Sequence, residues 1–120
     1  MKDRVVVTGM GVVSPVGDNI QDFWKNLKSG KNGIDEITHF DTDKFDVKIA
    51  GQSKIQLDNY FDKKELNKLD RFSTFAIIAA NQAIKQSRII NDNVSKDRIG
   101  VIVGSGVGGI STFENNIQNY

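Results

Sequence analysis

A run of mostly β-branched residues, Arg4-Val5-Val6-Val7-Thr8, breaks off into Gly9-Met10-Gly11 close to the start of the chain. Such a run suits a strand buried on both faces, the kind that parallel sheets contain. Glycine at its end demands a tight turn or a close approach to another segment. Open α/β folds place such turns at the carboxyl edge of their sheet, where ligands bind. The stretch therefore predicts an α/β fold. A phosphate cradle after Gly9 would need a helix to start at once. Pro15, followed by Gly17, blocks that helix.

The remaining segments predict alternating helices and strands. Asp18 or Asn19 offers an N-cap, and Ile20, Phe23, Trp24 and Leu27 lie at i, i+3, i+4 and i+7, one apolar helical face. Ser29-Gly30 closes that helix. Trp24 is expected to pack against the sheet. Residues 31–57 read as a meandering loop with one or two short strands, because their apolar positions are irregular and interleaved with charges. Asp41, Asp43 and Asp46 begin like a calcium loop, but the glycine and glutamate that such a loop requires are missing, so a solvated loop is expected. His39, the single histidine, has no nucleophile or second metal ligand near it in sequence and reads as structural or exposed.

Asp62-Lys63-Lys64-Glu65 forms a capping box for a short helix through Leu69. A longer helix follows over Asp70–Ser87. Its middle is apolar nearly all round, which predicts cover on more than one side. Asn91–Asp97 reads as a polar turn, and Arg98–Val103 as a second buried strand. That strand enters Gly104-Ser105-Gly106-Val107-Gly108-Gly109, with a helix from Ile110 towards Tyr120. Gly104, Gly106 and Gly109 have the spacing of a dinucleotide loop. The second strand and ribose-binding acid that would complete a Rossmann unit do not follow within these residues. No linker, repeat or internal boundary divides residues 1–120.

Composition narrows the function. The 120 residues carry 16 basic and 15 acidic side chains, a net charge of +1, without a basic stripe. Nucleic acid and membrane are therefore not expected as partners. No signal peptide is evident, and cytoplasm is the expected compartment. With zero cysteine there is neither a disulfide nor a cysteine nucleophile in these residues.

Taken in order, these segments resemble β-ketoacyl-acyl-carrier-protein synthases, especially those of type II. Arg4–Gly17 is similar to their opening strand and loop. The match continues through Phe23-Trp24, Leu27, Gly30-Lys31, Gly33-Ile34 and His39-Phe40-Asp41. Lys68, Asp70-Arg71-Phe72 with the alanine-rich helix, and Arg98–Gly109 complete it. The resemblance implies a thiolase-like α/β fold, layered α/β/α/β/α when complete. Residues 1–120 would be part of its N-terminal half, an incomplete sheet with flanking helices. It also implies an acyltransferase of fatty acid biosynthesis that condenses an acyl-enzyme with malonyl-acyl-carrier protein. The partners implied are acyl-carrier protein and a second copy of the enzyme as a homodimer, without metal or organic cofactor. The family's cysteine nucleophile, two histidines and lysine have no counterpart here, so no catalytic residue is assigned and the isolated chain is expected to be inactive. The site residues implied are Val107, as a wall of the acyl pocket, and Gly106 and Gly108, which flank it and supply mobility. Two other classes stay open: a small nucleotide-binding module using Gly104–Gly109, and a non-catalytic fragment that associates through its sheet edge and apolar helix.

Overall fold

The computed structural model describes residues 3–90 and 94–119. By internal contact they divide into two compact units, Met1–Met10 with Gln56–Tyr120, and Gly11–Ile55.

The Gly11–Ile55 unit is built on a tight turn, a helix and a short hairpin-like pair. Ser14 and Gly17 bridge each other through two backbone hydrogen bonds, 3.0 and 3.2 Å. Helix α1 covers Ile20–Lys28, and its N-cap is Asn19, whose Oδ1 accepts from the Asp22 amide at 2.9 Å. Asn26 of α1 donates from Nδ2 to the Val16 carbonyl at 2.5 Å, tying the turn to the helix. The helix ends at Ser29, and Gly30 takes the left-handed φ of 69° that lets the chain turn away. Strands β1, Ile34–Glu36, and β2, Ile49–Gly51, pair antiparallel with Asp35 opposite Ala50. The Gln52 side chain extends this ladder: its Nε2 donates to the Glu36 carbonyl (2.8 Å) and its Oε1 accepts from the Thr38 amide (3.1 Å). Ile55 is buried.

The other unit centres on its longest helix. Asp62 and Glu65 make the full reciprocal capping box for α2, Lys63–Leu66. The helix stops at Leu66, three residues short of the expected Leu69, although turn bonds carry on to Lys68. Helix α3 runs Arg71–Ser87 and ends on Arg88 in the left-handed region, φ 53°. Thr74 and Ile78, one turn apart, are its buried residues, and the Thr74 hydroxyl is satisfied by the Arg71 carbonyl. Gly9 lies directly on this helix at Ala83 and Ser87, where a side chain would meet helix backbone. Close approach, rather than a special φ, is therefore what requires glycine there. Next to it the Met10 amide donates to Gln86 Oε1 at 2.6 Å. Helix α4 covers Ile110–Gln118. The expected polar turn, Asn91–Asp97, falls partly on residues 91–93, outside the described residues; its last two residues form one 3-10 turn with Arg98, Lys96–Arg98.

Three expectations fail. Neither Arg4–Thr8 nor Arg98–Val103 forms a strand, and no parallel ladder exists among the described residues. Both runs are exposed, Val5 at 94% and Ile102 at 99%. A β-branched run becomes a strand only when a neighbour takes its hydrogen bonds and covers its faces, and β1–β2 is the one ladder present among the described residues. The sheet that those runs were expected to build is therefore not there to cover Trp24, which is 58% exposed, with Lys28 Nζ 5.8 Å from its ring centre.

Candidate functional site

The glycine loop before α4 is the only segment for which the sequence suggests a ligand contact. Val107 stands out into solvent, 77% exposed. Gly108 adopts φ 76°, a left-handed conformation in which an L side chain is strained, and its amide donates to Ser105 Oγ at 3.0 Å. Gly104 and Gly106 have open space around them. The loop is thus a short arch closed on itself by one serine.

At α4 the arch meets the start of α3. Helix α4 has glycine as its N-cap, so no local side chain satisfies its first turn. Asp70 is the N-cap residue of α3, yet its side chain makes no capping bond there. Instead its carboxylate accepts from the Thr112 hydroxyl in the first turn of α4. The same carboxylate fills the space that a Cβ at Gly109 would take. A negative group at the positive end of a helix is favourable. Asp70, Arg71, Phe72, Gly108, Ile110 and Thr112 are among the residues lining a small cleft of about 80 Å³ at this junction. Arg71 leans on the Phe75 ring at 5.0 Å. Gly108 therefore borders the cleft, whereas Gly106 and Val107 do not.

This arrangement weighs against phosphate at the loop. A phosphate cradle leaves the helix N-terminus open to an incoming anion. Here a carboxylate already stands at the first turn of α4.

A second, larger cleft of about 390 Å³ lies in the Gly11–Ile55 unit, with the Ser14–Gly17 turn, Asp22, Asn26 and Lys31 on its walls. Lys54 at its rim is paired with Asp35 at 2.7 Å. The hydrogen bond from Lys54, the Glu36 amide and the lysine charge together hold the Asp35 carboxyl below its ordinary value. In the aspartate loop, Asp41 Oδ1 accepts from the Asp43 amide, and Phe40 and Phe45 meet edge to face at 5.5 Å. His39 is exposed.

Residues 2–120 match the family model for the β-ketoacyl synthase N-terminal domain. The chain belongs to that family. Among its relatives is the 3-oxoacyl-[acyl-carrier-protein] synthase 2 of Staphylococcus aureus (strain N315), 49% identical over 113 residues. The enzyme of the same name from Synechocystis sp. is 40% identical over 114. The matches take in 92% and 94% of this chain but 27% of each relative. The chain thus spans about a quarter of the length of these synthases.

Solved ketosynthases share the fold. The ishigamide ketosynthase/chain length factor aligns with a TM-score of 0.74 at 24% identity, over 94% of this chain and 28% of that one. A type II PKS acyl-carrier protein in complex with its ketosynthase bound to the hexaketide aligns at 0.66 and 26% identity, over 99% and 32%. The ketosynthase fold of this domain is therefore present even though its two valine-rich runs make no ladder. The pairing of Asp70 with Thr112, which joins α3 to α4, had no signal in the sequence. The two stand 42 positions apart, and Asp70 reads there simply as a helix start.

Proposed function

We propose that this domain is the N-terminal part of a condensing enzyme that lengthens acyl chains in fatty acid biosynthesis. The observation that carries the reading is the family match over residues 2–120, together with 49% identity to a 3-oxoacyl-[acyl-carrier-protein] synthase. In the reaction a cysteine thiolate attacks the acyl thioester on a carrier protein, and the carrier's thiolate leaves. The malonyl thioester on a second carrier then loses its carboxylate as carbon dioxide. The electron pair left on the α-carbon attacks the acyl-enzyme carbonyl, and the cysteine thiolate departs. The product is a 3-oxoacyl chain two carbons longer on the carrier. An oxyanion hole and two histidines favour these steps. The sequence of events requires no metal or organic cofactor.

These 120 residues contain no cysteine, so the nucleophile lies outside them. Their contribution is to binding. Val107 forms one wall of the acyl pocket, and Gly106 and Gly108 let it move. Acyl-carrier protein is the partner, in keeping with the carrier complex of the related type II ketosynthase. The enzyme works as a homodimer in the cytoplasm; no helix among the described residues is long and apolar enough to cross a membrane.

The reading is tested by supplying the isolated chain with acyl- and malonyl-carrier protein. No 3-oxoacyl product is expected. Turnover at the rate of a full-length synthase would refute the assignment of the nucleophile to another part of the enzyme.

A further inference from the structure

We propose that Asp70 is a positioning residue for the acyl pocket, fixing where Val107 stands by holding the start of α4 against the start of α3. The proposal rests on the reading of Val107 as a pocket wall.

Four features of the junction carry it. The Asp70 backbone has N-cap geometry for α3, φ −65° and ψ 152°, yet its side chain leaves that helix uncapped. Helix α4 has a glycine N-cap and no cap of its own. The Thr112 hydroxyl donates to the Asp70 carboxylate across 42 positions of sequence. A Cβ at Gly109 would meet that carboxylate, which would have to move aside. One carboxylate is thus withdrawn from its own helix and supplied to another.

The consequence reaches Val107 through two residues. Gly108 and Gly109 connect it to α4, and Gly104 and Gly106 on its other side touch nothing within 4 Å of where a Cβ would be. Upstream, the tether is the bond from the Gly108 amide to Ser105 Oγ, which lies within the loop itself. The arch therefore takes its position from the end anchored at α4. Asp70 is a stable anchor, because α3 behind it carries the buried Thr74 and Ile78. A hydrogen bond to a charged acceptor is among the stronger single contacts a protein makes. Its loss frees the arch without touching the pocket itself.

The test uses the full-length natural enzyme and compares kcat/KM for long-chain and short-chain acyl-carrier protein. Asp70→Ala and Thr112→Val should shift the long-to-short ratio in the same direction, by about tenfold if the charged hydrogen bond is fully expressed in positioning. Asp70→Asn keeps an acceptor for the Thr112 hydroxyl but loses the charge, and should shift the ratio in the same direction by less than Asp70→Ala. The Asp70→Ala/Thr112→Val double variant should add little to either single change, because both remove one bond. Thr112→Val deletes a hydroxyl at an exposed site and carries the test if Asp70→Ala does not fold. Val107→Phe separates the two claims. If it moves the ratio and both Asp70→Ala and Thr112→Val leave it unchanged, Asp70 has no positioning role. If Val107→Phe also leaves it unchanged, Val107 is no pocket wall and the positioning proposal falls with it.

Discussion

Replacing Gly9 by alanine adds one methyl group against the backbone of α3. Its Cβ would stand 2.9 Å from the Ser87 nitrogen and 3.0 Å from the Ala83 carbonyl carbon, with the Ala83 oxygen closer still. Ordinary contact begins at 3.4 Å, so clearing Ser87 alone takes about half an ångström, and clearing the Ala83 oxygen takes more. Helix backbone cannot rotate aside as a side chain can, so the Gly9 segment itself must lift. Overpacking of this kind costs about 1–3 kcal/mol. The neighbouring bond from the Met10 amide to Gln86 is strained by the same movement, and its loss is worth about 1 kcal/mol. Against this, alanine restricts the unfolded chain and returns roughly 0.4–1 kcal/mol. The net expectation is a destabilisation of about 1–3 kcal/mol. Gly100→Ala is the control, because nothing lies within 4 Å of its Cβ position and its φ is not positive. It should be neutral or stabilise by up to about 1 kcal/mol. Urea titration of both variants reads the difference as a shift in midpoint at constant slope. Equal midpoints for Gly9→Ala and Gly100→Ala would refute the close approach of Gly9 to α3.

Three further outcomes follow from local geometry and charge. Asn19→Ala and Asp62→Ala each remove an N-cap that accepts a backbone amide, and each should cost about 1 kcal/mol in the same titration. The Asp35 carboxyl is held below its ordinary value of 3.8, chiefly by the Lys54 hydrogen bond, so its ionised form favours the folded chain. That contribution is present above pH 3.8 and fades as pH falls through the lowered folded value. Asp35→Asn should therefore flatten the acid limb of the midpoint-against-pH curve and leave neutral pH nearly unchanged, with the difference shrinking in high salt. An unaltered acid limb would rule out this pair as its source. Calorimetry with NAD, NADP and ATP should give no heat of binding at the Gly104–Gly109 loop, since Asp70 already places a carboxylate at the α4 N-terminus. Micromolar binding would overturn that reading.

Most of the helical framework was legible from local chemistry. The Asn19 and Asp62 caps, the Ser29-Gly30 stop and the apolar length of α3 each depend on residues within a few positions of one another. The short strands within 31–57 were legible as existing but not as paired, because their register is completed by Gln52, whose bonds reach back across 14 and 16 positions. Arg4–Thr8 and Arg98–Val103 have the composition of buried strands and lack the ladder. Composition reports what a segment can become, whereas a neighbouring strand decides whether it does so. Trp24 fails with them, because its expected cover was that sheet. The candidate site was half legible. The glycine arch and Val107 were visible as a loop between a β-like run and a helix. The carboxylate holding its far end was not, since an aspartate before a helix is explained locally by capping and gives no sign of a partner at Thr112.

Whether this domain belongs to a working condensing enzyme is decided by expressing the complete natural gene and supplying acyl- and malonyl-carrier protein. The expected result is 3-oxoacyl-carrier protein and carbon dioxide in equal amounts, with a covalent acyl group on a cysteine outside residues 1–120. Failure to form either product or the acyl-enzyme, in a folded protein that accepts the same carriers, would contradict it.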